Sequence, residues 1–340
     1  MPSPVVLLTV PLPEPGMRLL SELGEGEVEV RVLGRIPPTR ELREELRRGV
    51  DVLCPQLTDP VDAATLDAGL PRLRAVSNYA VGVNNIDVEA ATARGIAVGN
   101  TPGVLTDATA DCAMGLLLAA ARRLCEGDRL VRAGDWSGWD PEWMLGLELR
   151  GALLGVVGFG RIGQAVARRA LAFGMRVVHA AHGGAGAVDT DLAGRVEAMP
   201  LDRLLEAADA VSLHVPLTPS THHLIDEAAL RRMRRTAVFV NTARGAVVDE
   251  PALVRALREG WIAAAGLDVY EDEPRLAPGL ADLPNAVLAP HLGSATVRTR
   301  AAMAELCAGN ALAALRGLPL PHSPNPQAWA GGLPPALLAS

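Results

Sequence analysis

Leu153-Leu154-Gly155-Val156-Val157-Gly158-Phe159-Gly160-Arg161-Ile162-Gly163 is the stretch that decides the fold. Its first five residues read as a buried strand, and a helical pattern opens at Arg161. Three glycines at the spacing Gly-x-Gly-x-x-Gly join the two. Gly158 permits a tight turn, Gly160 lets the backbone approach a pyrophosphate, and Gly163 lets the helix pack closely on the strand. Free N–H groups at the helix start then bind phosphate oxygens. The spacing alone is a weak signal; the strand before it and the helix after it make it strong. Residues Gly158, Phe159, Gly160, Arg161, Ile162 and Gly163 are therefore expected to hold a dinucleotide.

Outward from this turn, short β-rich runs alternate with helical patterns. Upstream strands are expected at 4–10, 27–33, 50–56, 73–80 and 96–100, with helices such as 39–48 and 86–94 between them. A long apolar helix is expected at 106–124. Downstream strands are expected at 152–157, 176–181, 210–215, 237–242, 263–269 and 286–290, and a last helix at 295–316. Such alternation means parallel sheets covered on both faces. The expected class is α/β with two doubly wound parallel-sheet domains: a Rossmann-type cofactor domain over 101–294, and a flavodoxin-like substrate domain from 1–100 plus 295–325. Residues 326–340 are expected as an extended tail.

A chain of 340 residues suits two domains, because single cores stop growing near ~250–300 residues. Aromatics make up only 3%, so the cores must be built from Ala, Val and Leu. A net charge of −7 argues against nucleic acid as a partner. No apolar run reaches the ~18 residues of a membrane span, and Met1-Pro2-Ser3-Pro4 lacks the basic region of a signal peptide, so a cytoplasmic location is expected. Cys54, Cys112, Cys125 and Cys307 show no metal-ligand spacing and read as buried free thiols. All 32 basic residues are arginine, which excludes a P-loop lysine, a Schiff-base lysine and a lysine general base. Trp136, Trp139 and Trp143 share one loop, expected to pack locally or at a subunit contact, or alternatively to reach a neighbouring active site.

Ligands of such sheets bind beyond the carboxyl ends of the strands. The fourth downstream strand ends in Asn241-Thr242-Ala243-Arg244-Gly245. The fifth runs into Asp268, Glu271 and Glu273, and the sixth ends in Pro290-His291-Leu292-Gly293. An arginine, carboxylates and a histidine thus meet on the edge where a nicotinamide would lie. Hydride transfer to a ketone needs a proton donor for the oxygen and a cation for a substrate carboxylate. His291 suits the first task and Arg244 the second. A carboxylate behind His291 would fix its orientation and favour the protonated ring; spacing leaves Glu271 and Glu273 both open. His214 reads as a satisfied core histidine.

Together Gly158–Gly163, Asn241-Thr242-Ala243-Arg244-Gly245, Gly266-Leu267-Asp268-Val269, Glu273-Pro274 and Pro290-His291-Leu292-Gly293 resemble the D-isomer-specific 2-hydroxyacid dehydrogenases. The resemblance implies a catalytic group of Arg244, Glu273 and His291, with Glu273 paired to the imidazole and Asp268 on the nicotinamide carboxamide. It adds Thr106, Val215, Pro216, Thr242, Ala243 and Gly293 as cofactor contacts. The run Ser77–Asp87 resembles the family's substrate loop, so the amides of Val81 and Gly82 would bind a carboxylate. Gly99–Asp111 and the tryptophan loop resemble the glyoxylate and hydroxypyruvate reductase branch, whose members commonly use NADPH and form homodimers. At the end of the second downstream strand, Ala181-His182 replaces the acid that would favour NAD. This favours NADP, yet the branch's usual Ser-Arg pair is absent too, so NAD stays open. Alternatives are a dehydrogenase of another small 2-hydroxy acid, lactate-like, or a dinucleotide-sensing corepressor-like protein.

Overall fold

The computed structural model describes residues 3–22, 28–180 and 188–330. The chain divides into two compact units, Met1–Leu105 with Thr296–Ser340, and Thr106–Ala295.

In the first unit, five parallel strands lie in the order β2-β1-β3-β4-β5. They are β1 (Val5–Leu8), β2 (Glu29–Val32), β3 (Val52–Cys54), β4 (Ala75–Ser77) and β5 (Ala97–Gly99). Helices α1 (Glu14–Ser21), α2 (Thr39–Arg47), α3 (Ala63–Gly69) and α4 (Val88–Ala93) connect them. An aspartate starts α3 and α4: Asp62 accepts from Thr65 N and Asp87 from Ala90 N, satisfying donors that a helix start leaves open. β1, β3, β4 and β5 are buried along their length, as parallel strands covered on both faces must be.

Two segments from the far end of the chain complete this unit. A long C-terminal helix packs on α1, β3 and β4. Inside that packing, Ser77 Oγ donates to Cys307 O at 2.8 Å. Beyond the helix, fully buried Asn325 accepts from Val98 N at 2.7 Å and donates to Ile96 O at 3.1 Å, pinning the chain to β5. Of the expected extended tail, Gln327–Ala330 instead form a short helix, and 331–340 lie outside the described residues.

The second unit is a seven-stranded parallel sheet in the order β12-β11-β10-β9-β6-β7-β8. Its strands are β6 (Leu153–Val157), β7 (Arg176–Ala180), β8 (Val196–Met199), β9 (Ala210–Leu213), β10 (Val238–Asn241), β11 (Ala264–Leu267) and β12 (Ala286–Leu288). Six strands were expected; β8 is the addition. Helix α5 (Thr106–Ala121) buries Ala110, Ala113, Met114 and Leu117 against the sheet. It stops short of Leu124, because Arg123 turns left-handed at φ 53° and starts α6 (Leu124–Ala133), which buries no residue. Then come α7 (Arg161–Ala172), α8 (Leu201–Ala207), α9 (Glu227–Arg232), α10 (Glu250–Arg258) and, in the first unit, α11 (Val297–Leu315) and α12 (Gln327–Ala330). Cys54 and Cys307 are buried free thiols as expected, whereas Cys112 and Cys125 are only partly buried. Among the described residues no helix is long and apolar enough to cross a membrane.

Candidate active site

The strand order of the second unit reverses between β6 and β9, the switch point at which such sheets bind ligands. The glycine turn sits there. Gly158 adopts φ +97°, and a Cβ on it would lie 2.5 Å from His214 C and 2.6 Å from Val215 N. The chain after β6 is thus pressed against the chain after β9, which carries Val215 and Pro216. A Cβ on Gly163 would stand 2.1 Å from Gly158 O, so the start of α7 is wedged into the same turn. No side chain caps α7, and nothing lies within 4 Å of the place a Gly160 Cβ would occupy. Open space beside uncapped helix N–H groups fits a dinucleotide's phosphates.

Other expected cofactor residues are placed less simply. The Phe159 ring is 3% exposed and stacks on His179 with centroids 4.1 Å apart, so only its backbone faces the turn. Arg161 is exposed and Ile162 half-buried. Thr106 begins α5. Thr242 is buried, with no partner for its hydroxyl among the described residues. Ala181 and His182 lie outside the described residues. His214 is one residue past β9 rather than inside it; its Nε2 is 2.9 Å from Ser212 Oγ, and burial pushes it down to about 3.

Beyond the carboxyl ends of β10, β11 and β12, three side chains form a second cluster. His291 Nδ1 lies 2.9 Å from Glu273 Oε2. Glu273 Oε1 accepts from Tyr270 N at 3.1 Å, and the Tyr270 hydroxyl donates to Ala289 O at 2.9 Å. Burial pushes Glu273 up, but its bond to His291, that ring's charge, the Tyr270 amide and Arg244 together hold it below the usual carboxylate range. Glu271 points elsewhere, its Oε1 2.8 Å from His223 Nε2.

Asp268 shapes the turn that presents the imidazole. Its Oδ1 accepts from Leu292 N at 2.6 Å and its Oδ2 from Gly293 N at 2.7 Å, while His291 N donates to Asp268 O at 2.9 Å. These bonds hold His291 at φ 54°, a conformation uncommon outside glycine and costly unless the surroundings impose it. Burial, first, raises the Asp268 carboxyl above its ordinary value, with the two amides opposing it.

Arg244 is half-buried and makes no ion pair among the described residues; its Nη1 donates to Ala243 O at 2.6 Å. Burial lowers it from its ordinary value and Glu273 opposes that, and a guanidinium stays charged at neutral pH regardless. Asn241 fixes the backbone around it, donating to Arg244 O at 3.0 Å and accepting from Ala243 N at 3.0 Å. A cation with open valence is thus held beside a carboxylate-bound imidazole.

Tyr270 and Asn241 are the residues the sequence reading missed. Asparagine two residues before a backbone it grips is a common turn signature, so Asn241 was findable; Tyr270 carried no such mark. Val81 and Gly82 lie in the first unit, in the loop after β4.

A dinucleotide turn, an imidazole bound to a carboxylate and an unpaired guanidinium along one sheet edge define a nicotinamide-dependent dehydrogenase. Residues 114–293 match the family D-isomer specific 2-hydroxyacid dehydrogenase, NAD binding domain. A glyoxylate reductase of Korarchaeum cryptofilum is 51% identical over 318 residues, 93% of this chain and 94% of that protein. The crystal structure of a glyoxylate reductase from Paecilomyes thermophila superposes with a TM-score of 0.84 at 35% identity, covering 96% of this chain and all of that one (100%). An NADPH-dependent glyoxylate/hydroxypyruvate reductase from Sinorhizobium meliloti, solved with NADP and malonate, gives 0.82 at 35% identity, covering 95% and 97%. The chain belongs to the D-isomer-specific 2-hydroxyacid dehydrogenase family. It is an NAD(P)-dependent oxidoreductase that reduces a 2-oxo acid.

Proposed function

We propose that the protein reduces glyoxylate or hydroxypyruvate, preferring NADPH, with His291 as the acid and base. The observation that carries the reading is the 2.9 Å contact between His291 Nδ1 and Glu273 Oε2. With Nδ1–H donated to the carboxylate, Nε2 is left to face substrate as the protonated nitrogen. When bound, a reduced nicotinamide would supply the hydride for the carbonyl carbon. His291 donates its Nε2 proton to the carbonyl oxygen, which completes the hydroxyl, and Glu273 stabilises the imidazolium before that transfer. Arg244 grips the substrate carboxylate and polarises the carbonyl with its planar fork. In the first unit, the amides of Val81 and Gly82 are donors suited to a substrate carboxylate. Gly158–Gly163, Val215, Pro216, Thr242 and Ala243 would hold the cofactor, together with Thr106, Asp268 and Gly293.

The names of the relatives support glyoxylate as the substrate, and the NADP in one neighbour supports the cofactor. A homodimer in the cytoplasm completes the reading: α6 leaves every residue unburied, and Trp136, Trp139 and Leu145 after it are 56%, 83% and 68% exposed, a surface that suits a second copy. Steady-state assays of glyoxylate and hydroxypyruvate with NADPH and NADH in parallel test the proposal. Oxidation of neither cofactor with any 2-oxo acid would refute it. His291→Ala is expected to lose turnover by at least ~100-fold while still binding cofactor.

A further inference from the structure

In the loop after β4, three consecutive peptide carbonyls are each held by a different partner. Ala80 O accepts from Thr101 N at 2.9 Å, Val81 O from Asn100 Nδ2 at 2.8 Å, and Gly82 O from Asn78 Nδ2 at 2.8 Å. A trans peptide points its N–H opposite to its C=O. Gripping those oxygens therefore turns the N–H groups of Val81, Gly82 and Val83 away from the groups that hold them. None of the three donates to another group among the described residues.

The two asparagine amides are oriented without ambiguity. Asn85 donates through Nδ2 to two carbonyls, Gln56 O at 2.9 Å and Asp59 O at 3.1 Å, which only an NH2 group can do. Its Oδ1 must then face Asn78, whose Nδ2 lies 3.1 Å away, and Asn78 Oδ1 lies 3.2 Å from the same Asn85 NH2, which shares its two hydrogens among three acceptors. That reciprocal pair leaves the Asn78 NH2 directed at Gly82 O. Asn78 is wholly buried, so its amide has no water to turn towards. Asn100 faces a carbonyl and is likewise placed as a donor, while its own backbone is tied by Asn310 Nδ2 to Asn100 O at 3.0 Å.

We infer that Asn100 and Asn78 are positioning residues that aim the Gly82 and Val83 amides at the substrate carboxylate, making Val83 N–H a further donor beside Val81 and Gly82. The inference rests on the reading of this loop as the carboxylate site. Preset amides lose no orientational freedom when a small anion binds, which matters most for a substrate with few atoms. Asn100→Ala and Asn100→Asp each remove the donor from Val81 O, the second without loss of volume.

The test compares wild type with both variants for inhibition by oxalate, KM and kcat with glyoxylate, NADPH affinity and melting temperature. Loss of one preset bond to a carboxylate is expected to raise the oxalate inhibition constant and KM by ~10-fold or more, with NADPH affinity unchanged. A merely structural role would lower melting temperature and NADPH affinity along with KM. Variants that inhibit and turn over within twofold of wild type would overturn the inference. Amide NMR of labelled wild type needs no variant: oxalate should move the Gly82 and Val83 N–H resonances downfield, and static resonances there would also overturn it. Wild type that reduces no 2-oxo acid would instead sink the functional reading.

Discussion

Gly160→Ala and Gly163→Ala each add one methyl, three positions apart, and are expected to fail in different ways. At position 160 the backbone is extended (φ −80°, ψ −162°), which alanine adopts, and no atom lies within 4 Å of the new Cβ. The fold should therefore hold to within about 0.5 kcal/mol. The methyl instead occupies the space through which a pyrophosphate would approach, and cofactor affinity should fall at least tenfold, about 1.4 kcal/mol. At position 163 the Cβ meets Gly158 O at 2.1 Å where ordinary contact begins at 3.4 Å, so one of them must move by 1.3 Å (3.4 − 2.1). Alanine gains at most about 1 kcal/mol of helix propensity over glycine. Overpacking against a backbone carbonyl that cannot rotate away costs about 1–3 kcal/mol, so the clash wins or at best breaks even. Gly163→Ala should then lower both melting temperature, by roughly 2–8 °C, and affinity. Titration of NADPH fluorescence with thermal melts of the free proteins separates the two. Wild-type NADPH binding by Gly160→Ala would show that the phosphates do not lie on this turn.

Glu273→Gln keeps a hydrogen bond to His291 but removes the charge; loss of about 1.5–3 kcal/mol of charge-assisted bonding should cut kcat about 10- to 100-fold with cofactor affinity unchanged, as stopped-flow and binding titrations will read. His214 is held near 3 against an ordinary 6.5, so the unfolded chain takes up the proton first as pH falls. The stability it contributes is whole above about pH 6.5 and is lost on the way down to about 3, at about 1.4 kcal/mol per pH unit. In His214→Asn, the drop in unfolding free energy between pH 7 and pH 5, measured in urea, should shrink by about 2 kcal/mol. Replacing Trp136, Trp139 and Trp143 together by serine should yield a monomer in sedimentation velocity, and an unchanged sedimentation coefficient would count against the dimer surface.

How far the fold was legible follows from what each element needs from its neighbours. β6, β10 and β11 are buried throughout, so their apolar runs announce them. Val196–Met199 is an edge strand with two exposed central residues, Glu197 and Ala198, and its pairing with β7 is made by backbone that leaves no trace in side-chain pattern. The break at Arg123 was equally silent, because an arginine in a left-handed turn reads like any helical arginine.

The site shows the same division more sharply. Arg244 and His291 were legible because strand ends are where this architecture puts chemistry. Glu273 was separable from Glu271 only through resemblance, and the structure supplies the physical reason for the choice. Glu271 N donates to Glu250 Oε2 at 2.8 Å, and Ala277 N donates to Glu250 Oε1 at 3.2 Å, so one buried carboxylate anchors both ends of the loop. Just before the first anchor, Tyr270 N draws Glu273 back towards the strand end, and the Glu271 side chain is left to His223. Asp268 does the corresponding work on the other partner, imposing φ 54° on His291 through two amide bonds. The pair is therefore positioned by carboxylates gripping backbone N–H groups from both sides. Removing the Glu250 or Asp268 anchor should loosen the His291–Glu273 contact even though neither residue forms part of that bond.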